Sequence, residues 1–151
     1  MRWMFIAIAA LGAGACAQTL PADWVGAGAG YNPGGSPKAT AWASLAILVS
    51  ESSQVYSYST YDVVPQRGAV PVTSARTGAA TLLRAFGRSV YLLGFATIGA
   101  STSGTATAGS VSGGGILVYR FKPDWTVECV VRAVNGSATN KVVEFGFGRA
   151  F

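Results

Sequence analysis

The sequence predicts an all-β fold: an eight-stranded antiparallel up-and-down transmembrane β-barrel that follows a cleaved signal peptide. Two features of the composition favour it. Only 11% of the 151 residues are charged although 50% are hydrophobic, whereas a typical soluble domain has about 25% charged residues. The chain also contains 20 glycines, which weaken helices. A strand-rich fold whose outer surface is largely shielded from water accounts for both features.

The N-terminal segment has the three parts of a secretory signal peptide. Arg2 supplies the positive charge, Met4–Leu11 is the apolar stretch, and Ala15–Ala17 fits the small-x-small cleavage pattern. Cleavage after Ala17 makes residues 1–17 the signal peptide and leaves residues 18–151 as a single β-barrel domain.

Two alternatives remain open for this segment. The first is an ordinary buried N-terminal helix. The second is a lipoprotein signal in which Cys16 is lipidated, although Ala13 stands where such signals usually carry leucine. If cleavage follows Ala17, the mature chain keeps only Cys129, which is then expected to be an apolar filler without an internal disulfide partner.

Eight segments of the mature chain have strand character and are separated by turn-forming residues. After the leader, no apolar run reaches the ~18–20 residues of a spanning helix, but a spanning strand needs only about 9–11. The predicted strands are Trp24–Tyr31, Ala39–Ser50, Gln54–Val63, Thr77–Phe86, Ser89–Ala100, Thr105–Phe121, Trp125–Val134 and Lys141–Phe151.

Alternating side chains divide the seventh strand into an apolar and a polar face. Val127 and Val131 share one face, and Glu128 and Arg132 share the other. A soluble barrel or sandwich would turn the apolar face inward. A membrane barrel inverts this arrangement, because the apolar face meets lipid and small or polar side chains fill the narrow interior. The shortage of charge favours the membrane barrel.

The connections are expected to alternate between short periplasmic turns and longer outer loops. The connections predicted to be short are Glu51–Ser53, Gly87–Arg88 and Lys122–Asp124. Longer ones are predicted over residues 32–37 and over Val64–Arg76. The second of these loops, with Gln66, Arg67 and Arg76, is the candidate contact surface, and a passive connection is the alternative.

Four charged side chains are predicted to face the barrel interior: Arg120, Glu128, Arg132 and Glu144. Across the last turn Arg132 is expected opposite Glu144, and across the preceding turn Arg120 is expected diagonal to Glu128. Opposite charges on neighbouring strands stabilise each other. A structural salt network is the favoured interpretation, and a gate or selectivity element is the alternative. A constitutive pore is not expected, because the interior of an eight-stranded barrel is just wide enough for side chains.

Aromatic residues cluster near the predicted strand ends, as in the interfacial girdles of membrane barrels. Those assigned to the interfaces are Trp24, Phe86, Phe121 and Trp125 at the periplasmic ends and Tyr31 and Tyr61 at the outer ends. Core aromatics of a soluble fold are the alternative. The sequence leaves the orientation of Tyr56 and Tyr58 open.

No constellation of catalytic or metal-binding residues is found. The absence of histidine removes the usual Ser-His-Asp and Cys-His arrangements and most zinc sites. We therefore expect no enzymatic activity, no metal and no cofactor. Basic residues form no run, so no nucleic-acid partner is expected.

The C-terminal segment carries a family resemblance. Phe151 ends the chain, and Val143, Phe145 and Phe147 alternate before it, with Arg149 in place of a usual apolar residue. Together with the leader and the strands, this pattern resembles the small eight-stranded outer-membrane barrels of Gram-negative bacteria. The resemblance implies that the barrel-assembly machinery and outer-membrane lipid are partners. It leaves any surface partner unknown.

The expected function is accordingly a non-enzymatic outer-membrane barrel with a structural, envelope-integrity or surface-contact role. The alternative is a soluble periplasmic or secreted barrel or sandwich that binds an apolar ligand. The orientation of the last two strands distinguishes them: Glu128, Arg132 and Glu144 point inward in the first, and Val127, Val131 and Phe145 in the second.

Overall fold

The structure, a computed structural model, describes residue 20 and residues 23–33, 39–135 and 141–151. No helix among these residues is long and apolar enough to cross a membrane. The predicted signal peptide lies outside the described residues. The strands are β1 (Asp23–Tyr31), β2 (Ala39–Ser50), β3 (Val55–Gln66), β4 (Ala69–Phe86), β5 (Val90–Ser103), β6 (Ala106–Lys122), β7 (Trp125–Val134) and β8 (Lys141–Ala150).

The eight strands form a closed barrel in which each strand pairs with the next one in sequence. All pairs are antiparallel, and β1 also pairs with β8, from Trp24 opposite Ala150 to Tyr31 opposite Val143. Closure pairs every strand with a neighbour on both sides, except where the ends of β3 and β6 extend past β2 and β7 and are paired on one side only. The predicted eight-stranded antiparallel up-and-down barrel is therefore confirmed.

The predicted long loop over Val64–Arg76 is wrong. Strand β3 continues to Gln66, β4 begins at Ala69, and a tight turn joins them, with Gly68 at a positive φ of 72°. The register shifts between Val64 and Gln66, so Pro65, which has no N–H to donate, sits at an irregularity where proline is tolerated. Proline and glycine here mark a bulge and a turn rather than a loop.

The strands differ in length, and this difference shapes one end of the barrel. Strand β4 has 18 residues and β6 has 17, whereas β1 has 9 and β8 has 10. Strand β6 begins at Ala106, but its pairing with β7 begins only at Ser112, and β3 continues past Val63, its last residue that pairs with β2. The β3–β4 and β5–β6 hairpins therefore project beyond the rest of the wall. We call this the projecting end, and the end that holds Asp23 and Ala150 the terminal end.

The interior has two layers. Near the terminal end it is filled by apolar and aromatic side chains, including Trp24, whose ring centroid lies 4.9 Å from that of Tyr56. Leu20, just before β1, is buried in the same layer. Toward the projecting end the interior becomes polar, and Thr97 and Ser112 hydrogen-bond across β5 and β6 at 2.8 Å. The core therefore lies inside the barrel and changes from mainly apolar to polar along its axis, with the buried carboxylate of Glu128 near the terminal end as an exception.

Candidate functional site

The polar layer centres on four buried charged side chains, which we call the ion cluster: Asp62, Arg76, Arg132 and Glu144. Arg132 donates to both carboxylate oxygens of Asp62, from Nη1 at 2.9 Å and from Nη2 at 2.5 Å. Its Nη2 also donates to Glu144 Oε1 at 2.6 Å. Arg76 forms an ion pair with the same Asp62 carboxylate. Two cations and two anions thus compensate each other.

The strands bring these side chains together because each one occupies an inward-facing position. Arg76 of β4 is held by a second bond, from Nε to Ser110 Oγ at 2.7 Å. Glu144 fits beside β1 because Gly30 leaves the space open: a Cβ on Gly30 would lie 2.5 Å from Glu144 Cγ. Glycine on β1 thus makes room for a charged side chain on β8.

The ion cluster overlaps only in part with the predicted interior group. Arg132 and Glu144 belong to both. The interior group predicted from the sequence contains neither Asp62 nor Arg76. An interfacial Tyr61 faces lipid, so strand alternation indicates that its neighbour Asp62 points inward. Arg76 was missed because it was assigned to the loop that the structure does not contain.

Glu128 is fully buried but stands apart from the ion cluster. Thr126 Oγ1 lies 3.5 Å from its Oε1, and among the described residues Oε2 has no hydrogen-bond partner. Its carboxylate occupies space left by glycines, since a Cβ on Gly26 would lie 2.7 Å from Oε1, and one on Gly148 would also clash with it. Small residues on β1 and β8 therefore accommodate this side chain.

Arg120 does not reach Glu128, and this part of the prediction is wrong. Its Nε and Nη2 donate to the carbonyl oxygen of Pro123 at 2.8 and 2.5 Å. The register of the β6–β7 pair shifts between Arg120 and Lys122. The bulge and the adjacent turn direct the guanidinium to the turn backbone rather than into the barrel.

Five of the six predicted interfacial aromatics lie on the outer surface, with exposed side chains: Tyr31, Tyr61, Phe86, Phe121 and Trp125. Trp24 is a correction, because it is fully buried in the interior. Its position follows from alternation, since Trp24 shares the inward face of β1 with Gly26 and Gly28. Tyr61 lies near the middle of β3 rather than at its end, because β3 continues to Gln66.

The outer surface of the last strand carries the C-terminal pattern. Phe145, Phe147 and Phe151 are exposed by 61%, 65% and 72%, and Val143 is partly buried on the same face. Cys129, opposite Phe145 on β7, also faces outward. Arg149 points outward beside them, with its guanidinium carbon 5.7 Å from the centroid of the Trp125 ring.

The interior is packed with side chains, and its charges are compensated within the ion cluster, whereas the buried carboxylate of Glu128 has no ion pair among the described residues. Tyr58 and Phe95 pack at a centroid distance of 5.2 Å, and the ion cluster spans the barrel above them. In the described part of the chain, no three His, Cys, Asp or Glu side chains are grouped to hold a metal ion. These side chains fill the barrel, as expected for eight strands.

A solved structure from the de novo design of transmembrane β-barrels shares this fold. The TM-score is 0.62, and the match covers 88% of this chain and 98% of the designed one at 12% sequence identity. No protein-family model and no curated protein matches the sequence. At this identity the likeness is one of fold, and the chain has the architecture of transmembrane β-barrels.

Proposed function

We propose that this protein is a non-enzymatic β-barrel of the Gram-negative outer membrane with a structural, envelope-integrity or surface-contact role. One observation carries the proposal: the polar and apolar faces are inverted relative to a water-soluble barrel. Glu128, Arg132 and Glu144 are buried, while Phe145 and Phe147 are more than half exposed.

The inverted faces make hydrocarbon a more favourable surrounding for the barrel than water, because the apolar side chains are on the outside. Monomeric soluble proteins rarely expose large contiguous apolar patches. Here the outward face of β6–β8 presents Leu117, Val131, Phe145 and Phe147 side by side. Each such side chain gains about 1.5–3 kcal/mol when it is fully removed from water. Hydrocarbon around the wall would satisfy these residues.

The orientation of the faces opposes the soluble ligand-binding alternative. A barrel that binds an apolar ligand needs apolar side chains around an internal cavity. Val131 and Phe145 instead lie on the outside, and the interior positions of the same strands carry Arg132 and Glu144.

A surface-contact role is supported by the projecting hairpins. The β3–β4 turn at Arg67–Gly68 and the β5–β6 turn at Gly104–Thr105 extend the wall beyond β1 and β8. In outer-membrane barrels the N-terminus is periplasmic, so the projecting end faces outward. Val70, exposed by 58%, lies on the first hairpin. The candidate contact surface moves from a loop to this hairpin, and Arg76 no longer belongs to it.

The C-terminal face supports recognition by the barrel-assembly machinery. Phe145, Phe147 and Phe151 are all available on the outer surface before lipid covers it. We propose that this exposed row is what the machinery contacts during insertion.

Cell fractionation with cold and heated gel electrophoresis tests the proposed function. We expect the protein in the outer-membrane fraction, with a mobility that changes on heating, because a closed barrel resists detergent until it is heated. A periplasmic or secreted protein whose mobility does not change would contradict the proposal.

A further inference from the structure

We propose that the terminal end of the barrel binds the head groups of anionic phospholipids through four exposed cations, a surface that we call the cationic arc: Arg84, Arg88, Lys122 and Arg149. The inference rests on the proposed membrane insertion and adds a lipid preference at one rim. It is carried by the placement of Arg84, Lys122 and Arg149 beside outward-facing aromatic rings, with Arg88 in the adjoining β4–β5 turn.

Arg84 and Phe86 form the first part of the arc. A register shift between Leu82 and Arg84 returns Arg84 to the outer face. Its guanidinium carbon lies 5.1 Å from the centroid of the Phe86 ring, within cation–π range. Because aromatic rings favour the membrane–water interface, the ring fixes the depth at which this charge lies.

Arg149 and Trp125 repeat the arrangement at the other side of the arc. They are directly opposite each other in the β7–β8 register, and the guanidinium carbon is 5.7 Å from the indole centroid. Lys122 also pairs with Trp125, across β6 and β7. One exposed indole ring is thus flanked by two cations from neighbouring strands.

The charge of the terminal rim is unevenly distributed. On the β4–β8 side of the rim, the described residues include one acidic side chain, Asp124. It forms no ion pair with any of the four cations. The β1–β3 side instead carries Asp23, which accepts a bond from Leu48 N at 2.8 Å, and Glu51 in the following turn. The four cations of the arc therefore outnumber Asp124 on this side of the rim, and the excess of positive charge lies on one side only.

A phospholipid phosphate matches this surface. Guanidinium groups bind phosphate oxygens through paired N–H donors, and basic side chains next to a bilayer attract anionic lipids. A guanidinium near a ring at the interface keeps its charge at head-group level while its aliphatic stem covers apolar surface. Arg84 and Arg149 each lie beside such a ring.

Spin-labelled lipids test the inference in vesicles that contain the full protein. We compare the association of labelled phosphatidylglycerol with that of labelled phosphatidylcholine in a phosphatidylcholine bilayer. We expect phosphatidylglycerol to be favoured about threefold or more at low ionic strength, and less as salt is added.

The double variant Arg84→Gln/Arg149→Gln should bring this ratio close to one. The matched control Arg67→Gln/Lys141→Gln removes the same formal charge at the projecting end and should keep the wild-type ratio. Arg84→Gln alone, which leaves the C-terminal segment intact, should give an intermediate ratio even if the double variant folds poorly.

The outcomes separate two failures. A wild-type protein that inserts with heat-modifiable mobility but shows a ratio near one overturns the lipid inference alone. Equal losses in the two double variants also overturn it, because net charge would then suffice. A protein that stays outside the vesicles overturns the proposed function, and this inference with it.

Discussion

Arg132 reaches Glu144 diagonally across β7 and β8, with Nη2 2.6 Å from Oε1. The register places Val142 opposite Arg132 and Val130 opposite Glu144. The same guanidinium contacts Asp62 on β3. One side chain therefore joins the adjacent strands β7 and β8 to the distant strand β3, and the barrel depends on it more than on an isolated cross-strand pair.

Replacing Arg132 with methionine should destabilise the barrel strongly. Arg132→Met leaves Glu144 buried without its ion-pair partner, and loss of one partner of a buried pair costs about 3–5 kcal/mol. The free energy of unfolding in urea, with phospholipid vesicles, measures the loss. The control Lys141→Met, at an exposed position of β8, should change it by less than about 0.5 kcal/mol.

A double variant makes this prediction sharper. Arg132→Met/Glu144→Gln removes the orphaned charge, so it should lose less stability than the two single variants added together. Simple additivity would show that the ion pair contributes nothing to folding.

Closure between β1 and β8 should depend on Gly28. A Cβ at this position would collide with the carbonyl group of Phe145 and with Gly146 Cα, which are backbone atoms of the partner strand. Gly28→Ala should therefore cost about 1–3 kcal/mol, the usual range for overpacking, and reduce the fraction with heat-modifiable mobility. The control is Gly109→Ala, where a Cβ meets nothing within 4 Å. Equal behaviour of the two variants would mean that the β1–β8 pairing is looser than described.

A charge placed on the outer wall should be tolerated only outside the membrane. Leu117 lies on the outer face opposite Leu92 and Cys129, and Arg at the bilayer midplane costs about 2–4 kcal/mol. Leu117→Arg should lose that much stability in vesicles beyond the loss in Leu117→Ala. Val70→Arg, on the projecting β3–β4 hairpin, should be nearly neutral. If Leu117→Arg were also neutral, the wall would be facing water.

Local pattern predicts much of this fold because strand alternation is short-range. The bounds of β2 and β7 agree with the prediction, and the inward position of Arg132 follows from the period of two. The predictions are wrong where contacts between distant parts of the chain determine the structure. The loop predicted over Val64–Arg76 is a hairpin. Pro65 lies at a register shift in it, and Pro71 lies before Val72, the first residue of β4 that pairs with β5.

The ion cluster was only partly predictable for the same reason. Arg132 and Glu144 lie on consecutive strands, so a symmetric turn between β7 and β8 is enough to predict that they lie near each other. The bond between Arg132 and Asp62 joins residues 70 positions apart, and it depends on barrel closure, which no local pattern encodes. The position of Trp24 near a strand end predicts an interfacial ring, whereas its alternation with Gly26 along β1 indicates the inward orientation that the structure shows.

Labelling of Cys129 tests the central claim, that the outer wall is covered by lipid. Cys129 is partly exposed on the outer face near the middle of β7. In a Cys16→Ala background, we expect a membrane-impermeant maleimide to leave Cys129 unmodified in intact outer-membrane vesicles and to label it after denaturation. Ser103→Cys in a Cys129→Ser background, at the projecting end, should be labelled in the folded protein. If folded Cys129 reacted as fast as this reference, water would cover the wall, and the membrane account would be contradicted.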